Sequence, residues 1–252
     1  INSWVRDEFV DHFKPSFDWR PNKFVWLGST KPLPAFTFDF RENEAGIWNL
    51  HAYQYNSEMS TMIVETTEQT WKKAGMEKAS EDETVAYVSN LYADLLDGHP
   101  IITNRSVWRN FPMIRCETWV KDNLVIMGDC AHTAHYSIGS GTKLAMEDAI
   151  ALFECCKQEA NPREALKLYD ASRRDEVERT QHAADVSLSW FENVRRYWGM
   201  DPVQFNFSLM SRSKAITYDN LRLRDREFVK AIDKAFSDEA AEKFGAPQLK
   251  KK

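Results

Sequence analysis

Apolar and polar residues alternate with a period of two between about Lys23 and Thr67. The apolar positions form two runs on either side of a turn at residues 42–46, namely Phe36, Phe38 and Phe40, then Trp48, Leu50 and Ala52. Such alternation predicts strands that bury one face, and the short turns predict an antiparallel meander. Later segments repeat apolar residues at helical spacing. The predicted fold class is therefore α+β, with an antiparallel sheet packed against helices.

The opposite face of the second run is more polar and aromatic than a sealed core requires. It carries Asn49, His51, Tyr53 and Tyr55. One interpretation is a solvated sheet face with ordinary cross-strand aromatic pairs. The other is a wall that contacts a substrate, and the pattern alone leaves both open.

Helical spacing predicts four helices. They are a short one from Ser3 to about Phe13, one over 81–97, one from about Thr142 to Lys157, and a long one over about 163–198. The apolar side of the long helix comprises Val177, Ala184, Leu188, Phe191 and Trp198. Two further strands are predicted, around Met113–Val120 and Asn123–Met127, with Leu124–Met127 as a buried apolar run.

Composition excludes several classes of function. Lys plus Arg number 33 against 38 Asp plus Glu, and the net charge of −5 does not indicate a nucleic-acid surface. No apolar run approaches the roughly 18 residues that span a bilayer, and no signal-peptide pattern is present, so we expect no membrane and a cytoplasmic location. The four cysteines form no CxxC pair, which fits free thiols in a reducing compartment.

The stretch from Gly128 to Ala149 carries the most chemical information. An apolar run ends on Gly128-Asp129, and Gly139-Ser140-Gly141 then opens a predicted helix. Glycines let a backbone approach a ligand closely, and the first N–H groups of a helix attract negative charge. Asp129 could accept hydrogen bonds from the hydroxyls of a ribose or ribityl chain. A tight turn without a ligand would also use these glycines, so both interpretations stand.

A metal site is a competing interpretation of the same loop. Asp129, His132 and His135 form a D-x-x-H-x-x-H pattern whose residue types suit zinc or iron, as in a metal-dependent hydrolase. However, this spacing on a non-helical loop does not by itself bring three ligands together. No metal is therefore assigned.

The stretch resembles the second FAD-binding motif of the flavoprotein aromatic hydroxylases, the para-hydroxybenzoate hydroxylase-like family. The residues that match this motif are Gly128, Asp129, Ala131, His132, Gly139, Gly141, Glu147, Asp148 and Ala149. The first six residues, Ile1 to Arg6, resemble the tail of the family's Asp-Gly-x-x-Ser-x-x-Arg motif. His135, Ile138 and Lys143 depart from the usual residues of the family around the expected flavin edge.

Within the family the chain is similar, over nearly its whole length, to the salicylyl-CoA 5-hydroxylase and 2-aminobenzoyl-CoA monooxygenase group. This resemblance implies a FAD-dependent monooxygenase that uses NAD(P)H and O₂ to hydroxylate an aromatic acyl-CoA substrate. The chain contains no Gly-x-Gly-x-x-Gly after a strand. The dinucleotide-binding half is therefore expected in a missing N-terminal portion, with a possible reductase domain downstream. Alone, the chain would bind FAD weakly or not at all and be inactive, or it could be a non-catalytic fragment without cofactor.

The resemblance also implies roles for individual residues. Those expected at the cofactor are Arg6, Asp129, Ala131, Gly139, Ser140, Gly141, Thr142 and Lys143. Those expected at the substrate are His51, Tyr53, Tyr55 and Tyr136. His135 is the candidate base that would deprotonate an aromatic hydroxyl or polarise an amino group.

A short basic segment is the candidate CoA site. Arg222 and Arg224 belong to a group of cationic residues in an otherwise acidic chain, and arginine matches phosphate oxygens in a bidentate manner. A solvated face paired with nearby carboxylates would look the same.

The predicted organisation has five parts. Residues 1–20 form the tail of the FAD-domain motif, 21–120 the substrate-binding sheet domain, and 121–160 the FAD-contacting strand-loop-helix. Residues 161–245 form a C-terminal helical region, and 246–252 a tail or linker.

Overall fold

A six-stranded antiparallel sheet is built from strands that lie between Pro15 and Cys116. Its order is β2-β3-β4-β1-β5, and a sixth strand, β6, also pairs with β1. The strands are β1 (Pro15–Ser29), β2 (Thr37–Glu42), β3 (Ile47–Asn56), β4 (Met59–Thr66), β5 (Ile101–Ile102) and β6 (Arg109–Cys116). A separate hairpin joins β7 (Val120–Lys121) to β8 (Leu124–Val125).

Helices precede, interrupt and follow the sheet. They are α1 (Trp4–Glu8), α2 (Val10–Phe13), α3 (Glu68–Lys73), α4 (Glu81–Leu91), α5 (Ala93–Leu96), α6 (Gly141–Gln158), α7 (Pro162–Glu192), α8 (Pro202–Ser211), α9 (Tyr218–Arg224) and α10 (Arg226–Phe244). This computed structural model describes residues 1–245, so the predicted tail at 246–252 lies outside the described residues. The predicted α+β class with an antiparallel sheet is confirmed.

The long strand β1 pairs with three others. Its C-terminal half pairs with β4 from Lys23↔Thr66 to Ser29↔Ser60. Its N-terminal half pairs with β6, and the register shifts between Trp19 and Lys23. A bulge of this kind bends and twists a strand, so the two halves of β1 can serve different neighbours.

The two faces of β3 have different environments, and this positions the site. Trp48 and Leu50 are fully buried in a core that includes Val88 and Tyr92 of the helical segment over 81–97. On the other face, Asn49 and His51 are also buried, each about 1% exposed. The polar face is therefore covered along its first half, contrary to a simple solvated sheet face.

Five boundary predictions require correction. The first helix divides into α1 and α2, and the helix over 81–97 divides into α4 and α5. The strand predicted around Asn123–Met127 has only two residues, Leu124 and Val125, because it pairs only with the two-residue strand of its own hairpin. The strand predicted at Met113–Val120 runs instead over Arg109–Cys116. The long helix ends at Glu192, six residues before Trp198, although a 3₁₀ turn at Val194–Arg196 continues the buried side with Val194.

The described chain divides into two compact units, Ile1–Gln181 and the residues from His182 onward. In the second unit, Leu221, Val229 and Ile232 form a small core among α8, α9 and α10. Thr217 begins α9 with a reciprocal capping box to Asn220. Among residues 1–245, no helix combines the length and the apolar character that crossing a membrane requires.

Candidate functional site

A cavity of about 750 Å³ lies in the first unit, between the polar face of the sheet and the glycine-rich loop. Its walls come from β1, β3, β4, β6, the loop after β8 and the first turn of α6. The residues lining it are Ile1, Trp26, Phe36, His51, Tyr53, Ile63, Phe111, Met127, Gly128, Asp129, Cys130, Ala134, Tyr136, Gly139, Gly141, Thr142 and Ala145. The volume suits an aromatic ring together with part of a cofactor.

The glycine-rich loop enters α6 with backbone N–H groups that lack a side-chain cap. Gly139 has φ +64°, a left-handed conformation that favours glycine, and Gly141 begins the helix. Ser140 stands at the N-cap, but its hydroxyl accepts no N–H from the first turn. Because Gly139, Gly141 and Thr142 line the cavity, this helix end presents donors to a ligand there.

Asp129 follows the strand hairpin on a short 3₁₀ turn, Gly128–Cys130. Its side chain is exposed and lines the cavity. Within residues 1–245 its carboxylate makes no hydrogen bond or ion pair. An acceptor left open beside helix N–H donors fits a group with both hydroxyls and negative charge, as a ribityl phosphate has. The residues present therefore fit FAD.

A buried ionic network holds this loop against the helices. The Asp148 carboxylate on α6 accepts from the Gly128 backbone N–H at 2.9 Å, and lies 2.8 Å from His132 Nε2. Arg173 on α7 donates to its other oxygen at 3.1 Å. Burial opposes ionisation of Asp148, but the hydrogen bonds from His132, Gly128 and Arg173 together lower its pKa. Asp148 is therefore ionised, and its carboxylate holds the loop in place through Gly128 and His132.

Arg6 supports the same loop from the N-terminal side. Its guanidinium is 2% exposed and donates to the Cys130 carbonyl at 3.0 Å and to the Ile1 carbonyl at 2.8 Å. It also lies over the Phe17 ring, 5.0 Å from the ring centroid. Arg6 does not line the cavity, so in this structure it positions Cys130, the neighbour of Asp129.

A buried carboxylate, Glu65 of β4, lies behind the cavity wall. It is 1% exposed and accepts from Asn22 Nδ2 at 2.7 Å and from the Tyr136 hydroxyl at 2.9 Å. His51 Nε2 lies 3.1 Å from the same oxygen that Tyr136 contacts. Burial opposes ionisation of Glu65, yet the hydrogen bond and charge of His51, together with the hydrogen bond from Asn22, lower its pKa.

The candidate base His135 is buried rather than open to the cavity. It is 3% exposed, and its ring packs against Phe111 and Tyr136 with centroids 4.9 and 4.0 Å away. Its Nδ1 accepts the Ser137 backbone N–H at 3.3 Å. Burial lowers the pKa of His135 to about 4, so the imidazole is neutral at neutral pH.

The structure brings seven of the predicted site residues to one cavity. They are Asp129, Gly139, Gly141, Thr142, His51, Tyr53 and Tyr136. The others do not line it. Ala131 is fully buried, Ser140 donates to the Ile138 carbonyl, and Lys143 pairs with Glu147 toward solvent. Tyr55 is 53% exposed at the end of β3, where the register shifts between Gln54 and Asn56.

Arg222 and Arg224 lie in α9, in the second unit. Arg222 forms an exposed ion pair with Asp219 at 3.4 Å, one helical turn away. The CoA assignment of this segment stays a prediction.

The three residues of the metal interpretation do not assemble into a ligand set. His132 is bound to Asp148, His135 packs among aromatic rings, and Asp129 is exposed. Among residues 1–245, no group of three His, Cys, Asp or Glu side chains is placed to hold a metal ion.

Sequence reasoning missed Glu65 and the apolar wall formed by Trp26, Phe111 and Ile63. Glu65 does carry a signal in the sequence, because it is a lone carboxylate that directly follows Met62-Ile63-Val64 in a strand. A charged residue in such a run is buried only when partners compensate it. Those partners lie on β1, β3 and the loop, so the strand alone does not reveal them.

Comparisons with known proteins show which family the chain resembles. Residues 27–184 match a family model described as FAD binding domain. The chain is 40% identical over 243 residues to a salicyloyl-CoA 5-hydroxylase of Streptomyces sp, which covers 92% of this chain and 47% of that protein. It is 38% identical over 171 residues to a 3-hydroxy-4-methyl-anthranilyl-(aryl-carrier protein) 5-monooxygenase of Streptosporangium sibiricum, which covers 68% of this chain and 45% of that protein.

Solved structures show the same fold. The crystal structure of pqsL, a probable FAD-dependent monooxygenase from Pseudomonas aeruginosa, superposes with a TM-score of 0.56 at 19% identity. The match covers 79% of this chain and 56% of that chain. At this identity the likeness concerns the fold alone. The chain spans about half the length of the curated relatives it matches.

Proposed function

We propose that this chain, which belongs to the FAD binding domain family, forms the substrate side and the flavin edge of an aromatic monooxygenase. The proposed reaction is hydroxylation of an aromatic ring carried as an acyl-CoA thioester, of the salicylyl-CoA kind. NAD(P)H is the proposed reductant and O₂ the oxidant. Because the chain spans about half the length of its relatives, the activity is proposed for the complete protein.

One observation carries this proposal. A single cavity joins an aromatic wall, formed by Trp26, Tyr53 and Phe111, to the uncapped N-terminus of α6 and to Asp129. The aromatic wall suits a planar ring, and the helix end suits an electron-rich cofactor edge. A site for the aromatic substrate alone would not need the helix end and Asp129, and a site for the cofactor alone would not need the aromatic wall.

Residues of this chain would hold the aromatic ring and the cofactor edge next to each other. Bound FAD supplies the redox and oxygen chemistry. The N–H groups at Gly141 and Thr142 stabilise negative charge at the cofactor edge, and Asp129 accepts hydrogen bonds from its hydroxyl-bearing chain. The expected contact of Lys143 with the cofactor stays a proposal, because its ammonium group pairs with Glu147 and the residue does not line the cavity. Trp26, Phe36 and Tyr53 hold the aromatic ring and exclude water.

His135 has a narrower role than the sequence suggested. Since it is buried and neutral, we propose that it fixes the Tyr136 ring by packing, 4.0 Å between centroids. Proton acceptance from substrate is assigned instead to the imidazole of His51, which lines the cavity.

The division into parts 1–20, 21–120, 121–160, 161–245 and 246–252 stands as a proposal about the sequence. Parts 21–120 and 121–160 supply almost all of the cavity wall. A cytoplasmic location is proposed with it, because all four cysteines are free thiols within the described residues.

The test uses the full-length protein. FAD is added, and the visible spectrum of the protein after gel filtration reports bound flavin. NAD(P)H oxidation and O₂ consumption are then measured with 2-hydroxybenzoyl-CoA, and mass spectrometry seeks one added oxygen atom in the product. Bound flavin with substrate-dependent oxygen insertion is expected. Absence of both flavin and turnover would show instead a module without cofactor.

A further inference from the structure

We propose that the outer side of α6 is an interface for the part of the complete protein that lies outside this chain. Three side chains form this surface, the outer stripe: Met146, Ile150 and Phe153. The inference rests on the proposed function only for the identity of its partner, the portion that holds the rest of the cofactor. The packing itself does not depend on catalysis.

The outer stripe is apolar and exposed. Within residues 1–245, Met146 is 58% exposed, Ile150 63% and Phe153 61%. They stand at positions i, i+4 and i+7, which lie on one side of an α-helix. The Lys157 ammonium lies 5.3 Å from the centroid of the Phe153 ring, but this contact does not bury the ring. Soluble proteins rarely leave a contiguous apolar patch of this kind open to water unless another surface covers it.

The helix α6 is apolar on two opposite sides. Leu144 and Cys155 are buried on its inner side, where Asp148 also holds the glycine-rich loop. With 3.6 residues per turn, the outer stripe lies roughly opposite these residues. A surface helix needs one apolar side, whereas a helix that is apolar on both sides lies between two layers. The described residues supply the inner layer, so the outer layer comes from elsewhere.

Paired charges border the outer stripe. Lys143 pairs with Glu147, and Lys157 pairs with Glu154 at 3.1 Å. Because these charges compensate one another within the helix, a covering surface meets a polar rim and no unpaired charge. An apolar centre with a polar rim is the usual anatomy of a protein interface.

The lengths of the relatives point to the occupant. The match to the salicyloyl-CoA 5-hydroxylase covers 92% of this chain and only 47% of that protein. The helix α6 lies inside the segment 27–184 that matches the FAD binding domain family. A protein of that length therefore carries about as much chain again, and that chain needs a surface on which to pack.

The outer stripe is continuous with the proposed cofactor site. Thr142 lines the cavity in the first turn of α6, and Met146 stands one turn further along the same side. This chain contains no Gly-x-Gly-x-x-Gly after a strand, so the dinucleotide end of FAD needs residues from outside it. The portion that holds that end must reach the first turn of α6, and the outer stripe is the apolar surface that begins there.

Thiol labelling of the full-length protein tests the inference. Phe153→Cys and its matched control Glu154→Cys are each combined with Cys156→Ser, which removes the exposed native thiol of α6. Both positions are exposed in this structure and point about 100° apart around the helix. Iodoacetamide is added without substrate or NAD(P)H, intact mass follows the labelling, and Cys156→Ser alone gives the background. We expect Phe153→Cys to react at least about tenfold more slowly than Glu154→Cys in the native protein, and at an equal rate in urea.

Equal native rates for the two variants overturn the inference. Protection of Phe153→Cys that disappears on about hundredfold dilution also overturns it, because a second copy of the protein then covers the outer stripe. If Phe153→Cys fails to fold, Met146→Cys decides by the same comparison, since it changes the side-chain volume less.

Flavin binding and turnover of 2-hydroxybenzoyl-CoA are measured separately on the unmodified full-length protein. Equal labelling rates together with flavin and turnover refute the interface and leave the proposed function standing. Slow labelling of Phe153→Cys without flavin or turnover supports the interface and refutes the proposed function.

Discussion

The carboxylate of Asp148 holds the backbone N–H of Gly128 at 2.9 Å across twenty residues of chain. Gly128 has φ +56°, and a side chain there would meet the Ala145 Cβ at 3.1 Å. The loop therefore passes close over α6, and Asp148 fastens it where it turns toward the cavity. This bond links the helix that begins at the cavity to the loop that carries Asp129.

Replacement of Asp148 by Ala should destabilise the protein by roughly 3 kcal/mol. The loss is large because the substitution leaves His132 buried without its carboxylate partner and leaves Arg173 with only the longer, 3.4 Å pair to Glu147. Urea unfolding followed by tryptophan fluorescence measures the change. The neighbouring substitution Glu147→Ala is the control, and its cost should stay below about 1 kcal/mol because its ion pairs are more exposed. Equal losses would contradict the network.

Asp129→Ala should lower FAD occupancy of the full-length protein. The carboxylate lines the cavity, has no partner among the described residues, and is available to the hydroxyls of the cofactor. The ratio of flavin to protein absorbance after gel filtration reports occupancy. Asp122→Ala is the control, because Asp122 is an exposed aspartate that pairs with Lys121 outside this cavity. Unchanged flavin content in Asp129→Ala would remove this residue from the site.

Tyr53→Ala should weaken binding of the aromatic thioester, and Tyr55→Ala should not. Tyr53 lines the cavity and stacks on Phe36 with centroids 5.6 Å apart and planes 12° from parallel. Tyr55 lies two residues further along β3, is exposed, and contacts Met59. A stacked aromatic contact contributes about 0.5–1.5 kcal/mol beyond burial, so we expect about tenfold weaker binding for Tyr53→Ala. Similar affinities for the two variants would contradict the assigned wall.

His135 should make the protein less stable as the pH falls from 6.5 toward 4. The folded state lowers the pKa of His135 from 6.5 to about 4, so in this window the unfolded chain binds a proton that the folded chain does not. The stabilisation is therefore full above pH 6.5, and about 3 kcal/mol is lost by pH 4.

Urea unfolding of the unmodified protein and of His135→Gln, at pH 7 and pH 4.5, isolates this effect. The charged groups that act on His135 are Glu65, His51 and Arg20, and they are present in both proteins. The variant should lose less stability on acidification than the unmodified protein. Parallel losses would show that His135 does not titrate in this window.

The double substitution of Arg222 and Arg224 by Ala should weaken binding of the CoA thioester but not of the free aromatic acid. Arginine forks bind phosphate oxygens, and a partly desolvated contact contributes about 1.5–3 kcal/mol, roughly tenfold to hundredfold in affinity. Calorimetry with both ligands measures the difference. Equal loss for the two ligands, or no loss for either, would exclude the basic segment as the CoA site.

Local signals predicted much of the fold. The helix after the glycine turn begins at Gly141, one residue from its predicted start, because a helix start depends on nearby residues. The capping box at Ser80 and Glu83 begins α4 in the same way. The predicted end of the long helix was wrong, because the helical spacing of apolar residues continues through the 3₁₀ turn at Val194.

The site was predictable only as far as its residues are neighbours in sequence. The glycine loop could be identified as a unit, but Tyr136 meets Glu65 across 71 residues, and Gln181 bonds the loop carbonyl of Thr133 across 48. Tyr55 has the same parity along β3 as Tyr53, so the alternation placed it among the residues expected at the substrate. Neighbouring strands and loops determine which end of β3 is buried. The alternation within β3 itself carries no information about them.

The pairing of β1 determines when the cavity can first exist. Phe24 pairs with Glu65 across about forty residues of chain, whereas Phe17 pairs with Ile114 across almost a hundred. Such distant pairings are slow to close because the chain between them must lose its freedom first. The meander of β2, β3 and β4 can form early. The cavity is completed last, when the loop after β8 and the first turn of α6 pack against the sheet. A ligand that contacts both the sheet and the glycine-rich loop can therefore bind only the folded protein. Its binding stabilises the folded state relative to every partly folded state.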